Sequence, residues 1–512
     1  TLSIEHVQTQ RREMSVTQPA THARLAKTNG HDRNGLRPQA TTAYHSDEYD
    51  EMVGSTGMYC NEKEALDEVA RFAATTSSSD LPAPVIKRTS LILADCIGAI
   101  VGGAAEPDVE ALSNRQTEAG PALLIGTTRT LSAGTAALLN GTAGTTLEMD
   151  EGNQFCKGHP GMHTVPAALA YAADRPVTGR QFLAAIAIGY DIGARVGIAT
   201  QLRPTMHPHG TWGAICAATA VARLHGSASE QMRHAINMSA SLGLSTSRRT
   251  MLEGGTVRNV FAGVAGQMGV LCGHMVAAGF SGDHNGVAQV FGHVVSDVFD
   301  EAAFASELGT RWEVSRNYFK MHSCCRYNHA ALDALAIMQE THGILIHDTI
   351  ENILVETYSL AVELDDPAPQ NVLAGKFSVP FAMATAIVNQ STDVNSFTMP
   401  NVTNPVILKL AGRVRLEEDP AMTACLPDRR PARVTIRLKS GETLQATTET
   451  NQGDWSAPYP PKDIRDKFMS LTTRLWHEND AAQIWEMIGA LDVAESLDAL
   501  FSAMAKAPLS NQ

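Results

Sequence analysis

LSAGTAALLNGTAGTT (Leu131–Thr146) runs uncharged into LEMDEGNQFCKGHPG (Leu147–Gly161), and PAALAYAA (Pro166–Ala173) follows soon after. The two flanks are small and apolar, a composition suited to closely packed, buried helices. Pro160 biases His159 towards an extended backbone and away from helix. The stretch therefore reads as helix, polar loop, helix, and a polar loop held by a rigid apolar scaffold is a usual place for function. Glu148, Asp150 and Glu151 cannot all ionise cheaply if they lie close together and partly buried, so at least one pKa should rise. Environments that push neighbouring titratable groups apart give an enzyme an acid and a base at one pH. Alone, an acidic loop also fits a solvated surface; the two apolar flanks favour a site.

Working outward, the chain has 512 residues, enough for two or three domains around a large core. Hydrophobic residues make up 44%, charged residues 18% and aromatics only 5%, which suits packed helices better than a β-sandwich. A net charge of -14 argues against a nucleic-acid partner, because phosphate binding needs a basic face. No uninterrupted apolar run reaches the ~18 residues of a spanning helix, so no membrane partner is expected. Eight cysteines, with Cys324 and Cys325 adjacent, do not form a disulfide framework and suit a reducing compartment. There is no CxxC, HExxH, GxGxxG or phosphate-loop motif, so neither a metal nor a cofactor is expected. The chemistry would then be proton transfer by side chains.

Residues 1–59 are polar with no sustained apolar period and are expected to be disordered. They lack a secretory core, so a cytoplasmic protein is expected. Six Arg/Lys between Arg11 and Arg37 leave a mitochondrial leader open for a eukaryotic source. Helical periods over Glu64–Ala74, Pro84–Val101, Gln181–Ile198, Gly213–His225, Ser229–Leu244 and Val257–Ala278 give an all-helical domain over 60–316. From Asn317 the character changes. Thr349–Tyr358 alternates as a strand, and Ala432–Leu438 with Thr443–Thr450 reads as a hairpin about Lys439–Glu442. Helical segments at Asp333–Thr341 and Pro380–Val388 complete a smaller α+β lid domain over 317–450. Residues 451–512, with helical Asp463–Leu475 and Asp480–Met504, return to the first domain and make it discontinuous. The fold class is mainly α, with an α+β lid.

Further clusters carry chemistry. MHPHGTWG (Met206–Gly213) places His207 and His209 ahead of a helix whose N-terminal amides favour a carboxylate. EGGTVR ends in Arg258, and YFKMHSCCRYNH (Tyr318–His329) packs Lys320, His322, Cys325 and Arg326 into the domain junction. Each has a bland reading: a capping histidine, a solvated arginine, and for Lys376 a structural lysine.

In this order, LEMDEGN…KGHPG, GYDIGARVG (Gly189–Gly197), HPHGTWG, FK…CCRYNH, AGKFS (Ala374–Ser378) and PPKDIRDKF (Pro460–Phe468) resemble the MmgE/PrpD family. The resemblance covers about Glu62 to Leu500. That family includes 2-methylcitrate dehydratase, cis-aconitate decarboxylase and iminodisuccinate epimerase, and its fold is a large helical domain with an α+β lid. The resemblance implies a site in the cleft between them. Asp150, His159, His207, Lys320 and Cys325 are the expected catalytic residues. Glu148, Glu151, His209, Arg258, His322 and Arg326 are expected to bind substrate, and family members imply a homodimer.

Three departures bear on the reaction. Gly152 stands where the family shows threonine and Arg258 where it shows lysine. Cys325 stands where the decarboxylases show histidine. They argue against assuming decarboxylation and leave dehydration and epimerisation open. The expectation is a cofactor-independent lyase or isomerase acting on a small di- or tricarboxylate, most like 2-methylcitrate dehydratase. The alternatives are an iminodisuccinate epimerase, a cis-aconitate decarboxylase, or an inactive carboxylate-binding scaffold.

Overall fold

The computed structural model describes residues 56–507 and residue 509, so the expectation of disorder over 1–59 lies outside it for the first 55 residues, while residues 56–59 are helical. Helices α1 (Thr56–Thr75), α2 (Ala83–Ala104), α3 (Ala133–Thr146), α4 (Pro160–Ala172), α5 (Gly179–Ala199), α6 (Gly213–His225), α7 (Ser229–Ser241) and α8 (Phe261–Ala277) build the helical part. Small residues set its packing. A Cβ at Gly141 would meet the backbone of Gly263 at 2.7 Å, so α3 and α8 touch backbone to backbone. Helix α4 is buried along its whole length, as the apolar flank predicts. The expected Val257–Ala278 helix opens instead with a 3-10 turn over Thr256–Val260, which carries Arg258.

The α+β part holds helices α9 (His329–His342) and α10 (Val379–Asn389) against a four-stranded sheet. Its strands are β1 (Ile350–Thr357), β2 (Val414–Glu418), β3 (Ala432–Leu438) and β4 (Thr443–Thr448), in the order β4-β3-β1-β2. The β3/β4 hairpin is antiparallel and β1/β2 is parallel, which requires the crossover that contains α10. Strand β2 is absent from the sequence reading.

Helices α11 (Pro461–Thr472) and α12 (Glu478–Gly489) pack back on α2. Their Ile464, Phe468, Ile484 and Ile488 belong to the same apolar cluster as α2 and α5. The Asp480–Met504 segment is not one helix but breaks at a 3-10 turn, Leu491–Val493. A separate apolar cluster fills the α+β part, with Met251 of the helical part joining it.

Two elements differ from the helix-only and span-free expectations. Short two-stranded ladders punctuate the helical part, and one of them pairs Gly152 with Tyr318 and Asn153 with Asn317. That ladder ties the acidic loop to the junction segment. Gly179–Ala199 and Thr256–Ala277 also reach the length and apolarity of a membrane span. The first is a core helix whose Asp191 and Arg195 neutralise each other at 2.6 Å inside the fold.

Candidate active site

Helix α3 ends at Thr146, and Glu148 then takes a left-handed backbone with φ 55, a costly conformation for a residue with a side chain. Three groups hold the loop there. Asp95 of α2 accepts the Glu151 N–H at 2.9 Å, and Lys467 of α11 pairs with Asp95 at 2.6 Å and donates to the Met149 carbonyl. The peptide groups on both sides of Asp150 are thereby fixed. Lys376 donates to the Leu147 carbonyl at 2.9 Å and to Ser323 Oγ at 3.2 Å, which caps the end of α3 from the α+β part. Burial pulls the Lys376 ammonium down to about 8.

Successive side chains of this extended loop alternate. Glu148 and Asp150 face a group of cations, and Glu151 faces the helical core. Arg258 ion-pairs with Glu148, while Lys320 Nζ lies 3.5 Å from Glu148 Oε2 and 3.3 Å from Asp150 Oδ1. Burial opposes ionisation of Asp150, but His159, Lys320 and Arg258 outweigh it and hold this carboxyl well below its usual range. For Lys320, burial is likewise outweighed by Asp150 and Glu148, which raise its pKa.

His159 Nδ1 lies 2.6 Å from the Glu151 carbonyl oxygen and 2.9 Å from Asp150 Oδ2. Both neighbours are acceptors, so Nδ1 carries a hydrogen and Nε2 is the atom free to exchange a proton. Burial keeps three further histidines neutral. His163 falls to about 4; its Nδ1–H donates to the His159 carbonyl at 2.8 Å and its Nε2 accepts the Gly210 N–H at 3.1 Å. His207 and His209 fall well below their usual range, through burial first and then the Arg258 charge. His207 Nδ1 accepts the His209 N–H at 3.1 Å, which leaves its proton on Nε2. Both His209 nitrogens are buried without a partner.

These groups surround a cavity of about 60 Å³. Of the expected residues, Glu148, His159, His207, His209, Arg258, Cys325 and Arg326 line it. Asp150 and Lys320 lie directly behind that wall. Burial pushes the Cys325 thiol up to about 11, so it is a neutral thiol and not a thiolate.

Two expected substrate-binding residues are not on the wall. Glu151 accepts the Gly161 N–H at 2.7 Å and the Tyr190 hydroxyl at 3.0 Å, inside the helical core. It points there because it is one residue out of step with Glu148 and Asp150. His322 contacts Asp333 at 3.1 Å and Thr392, which engages it within its own part of the fold.

Sequence reading did not assign Gln154, Tyr318 or Arg430, which also line the cavity. Tyr318 was within a quoted cluster, and it accounts for Gly152. A Cβ at Gly152 would stand 2.4 Å from the Tyr318 hydroxyl, so the tyrosine occupies the space a threonine side chain needs. Arg430 had no local signal. The GYDIGARVG motif is structural, since Asp191 also accepts the Glu313 N–H at 2.7 Å.

Asp150, His159 and His209 offer ligand atoms within 4.8 Å of one another, a spacing a metal ion could use. Lys320 and Arg258 beside the same carboxylates oppose a further cation there. What the arrangement suits is an anion. Arg248, Arg258, Arg326, Arg430 and Lys157 line the cavity against the one carboxylate of Glu148.

Residues 67–303 match the MmgE/PrpD N-terminal domain and residues 322–493 the MmgE/PrpD C-terminal domain. The cis-aconitate decarboxylase of Aspergillus terreus (strain NIH 2624 / FGSC A1156) is 23% identical over 462 residues, spanning 83% of this chain and 92% of the relative. Cis-aconitate decarboxylase of Homo sapiens is 21% identical over 390 residues, spanning 71% of this chain and 78% of the relative.

Proposed function

The chain belongs to the MmgE/PrpD family, and on that premise we propose that this lyase-type enzyme works without a cofactor on a small polycarboxylate, moving a proton at the carbon next to a carboxylate. The observation that carries this reading is the cavity wall, with five cationic side chains against one carboxylate and a histidine whose Nε2 is free. Arginines grip carboxylates in bidentate fashion, and a buried cation there stabilises charge that develops as the neighbouring C–H breaks.

Within the family, the wall favours dehydration. A carboxylate that must leave as CO2 is held back by ion pairs made in the ground state, whereas one that receives charge from an adjacent carbanion is helped by them. His159 Nε2 takes the α-proton, the C=C bond forms, and the β-hydroxyl departs as water with a proton from a cavity donor. The neutral Cys325 thiol, the Tyr318 hydroxyl and the His207 Nε2–H are the donors at hand. A 2-methylcitrate dehydratase-like reaction is the form that fits. The second reading, decarboxylation, is favoured by the names of the curated relatives.

The test incubates the protein with 2-methylcitrate, cis-aconitate and iminodisuccinate, following alkene absorbance, CO2 release and optical rotation. Alkene formation from 2-methylcitrate without CO2 supports dehydration. CO2 release from cis-aconitate would replace it with the second reading, and rotation change alone with epimerisation.

The α+β part would act as the lid. A homodimer through the outer side of α8 and the turn that follows it also fits, where Leu271 and Phe280 stand 42% and 59% exposed. Light scattering of Leu271→Lys with Phe280→Lys should then show a monomer.

A further inference from the structure

The cations of the cavity are not equal. Arg258 pairs with Glu148, Arg248 with Glu363 at 2.8 Å and Arg326 with Asp454 at 2.6 Å. Lys157 is exposed to solvent. Arg430 is buried, at 3% exposure, and among the described residues no carboxylate is within ion-pair reach of it. Its Nη1 and Nη2 make only long contacts of 3.4 Å to Gln154, and its Nε has no partner. Beside it, Arg326 uses Nη2 on Asp454 while its Nε and Nη1 have no partner.

A buried guanidinium without a counter-charge is expensive. The surrounding fold nevertheless fixes it in place. The Asp428 carbonyl accepts Gln154 Nε2–H at 2.9 Å, and the Pro431 carbonyl accepts the Thr357 hydroxyl at 2.9 Å. The segment that carries Arg430 is therefore tied to the acidic loop on one side and to β1 on the other. Elsewhere on the wall, Glu148 and Asp150 already balance Arg258 and Lys320. The unspent positive charge is that of Arg430, beside Arg326.

Resting on the polycarboxylate reading above, we infer that Arg430, with Arg326, forms a subsite for a carboxylate remote from the reacting carbon, and that this subsite selects tricarboxylates over dicarboxylates. The substrate would then span the cavity, its reacting carbon at His159 and its remote carboxylate across the two guanidinium groups. Tyr318 and Tyr327 flank the subsite, with the Arg326 guanidinium 4.2 Å from the Tyr318 ring and that of Arg430 5.7 Å from the Tyr327 ring.

Calorimetric binding of propane-1,2,3-tricarboxylate and of methylsuccinate, the same molecule without one terminal carboxylate, tests this on the full chain. The intact protein should prefer the tricarboxylate by about 10- to 100-fold, the scale of charge-assisted hydrogen bonds. Arg430→Met should remove most of that preference, weakening the tricarboxylate far more than methylsuccinate. Arg430→Lys, which keeps the charge and loses the fork, should fall between them. It also keeps the test readable if Arg430→Met does not fold. Absence of any preference in the intact protein, or equal weakening of both ligands by the variants, would overturn the subsite. Because binding is measured without turnover, a protein that prefers the tricarboxylate but dehydrates nothing would sink the proposed reaction and leave the subsite standing.

Discussion

His159 and Lys320 share one carboxylate: Asp150 presents Oδ2 to His159 Nδ1 at 2.9 Å and Oδ1 to Lys320 Nζ at 3.3 Å. The short ladder between Gly152 and Tyr318 draws the junction segment against the acidic loop, so the two side chains meet at Asp150. A carboxylate so placed fixes the histidine tautomer.

Asp150→Asn keeps the shape and removes the charge. It should lower kcat by about 10²-fold or more, with a smaller effect on KM, and His159→Ala and Lys320→Ala should fall at least as far. Steady-state kinetics of the three variants check this. Near-normal kcat in His159→Ala and Lys320→Ala would contradict the assignment.

Arg258 lines the cavity, whereas His159 is assigned to the chemical step. Affinity for an unreactive tricarboxylate should therefore suffer more in Arg258→Ala than in His159→Ala. Titration calorimetry decides, and the reverse order would mean that Arg258 serves only to hold Glu148.

Glu151 supplies a pH dependence of stability. Burial raises this carboxyl from 4.5 to about 8. Between those values the folded state holds a proton that the unfolded chain has released, so stability falls as pH rises through the window. Each pH unit is worth up to ~1.4 kcal/mol. Glu151→Gln, which cannot ionise, should gain in Tm relative to the parent protein from pH 5 to pH 8. A constant difference over that range would mean that the carboxylate is stabilised by another route.

A cavity of about 60 Å³ is small beside the ~300 Å³ or more of common ligand sites, so substrate entry requires movement. The two connections between the helical and α+β parts, residues 317–329 and 450–461, lie side by side, since Phe319 N–H donates to the Gly453 carbonyl at 3.0 Å. Trp455 sits on one of them, 41% exposed, with its ring 6.0 Å from Phe155 of the acidic loop. Binding a tricarboxylate should change the tryptophan emission, and Trp455→Phe should abolish that change. The same response in both proteins would place the movement elsewhere.

The helices and the β3/β4 hairpin were legible from local pattern: β3 buries alternate residues, and Gly213–His225 is small and apolar through its buried first ten residues and stops at Gly226. Gly213–His225 and Ala432–Leu438 have the bounds their patterns suggest. Strand β2 was not, since Arg415, Glu417 and Glu418 of this short edge strand read as solvated surface. In the site, the acidic loop, His159, His207 and Lys320 stood out as local clusters of titratable groups. Glu151 misled because spacing alone does not say which side of an extended loop faces the cavity. Asp95 reaches Glu151 across 56 residues of sequence, Arg430 reaches Gln154 across 276 and Lys467 reaches Asp95 across 372, and no local pattern signals such contacts.

The central claim is that His159 moves a proton on carbon. It is tested most directly by running the reaction in reverse, incubating the enzyme with the alkene product of dehydration in D2O and reading carbon-bound deuterium in the hydrated tricarboxylate by mass spectrometry. The account predicts one deuterium at the carbon beside a carboxylate with the intact protein and none above background with His159→Ala, at equal ligand occupancy. Turnover without deuterium on carbon, or undiminished incorporation by His159→Ala, would contradict it.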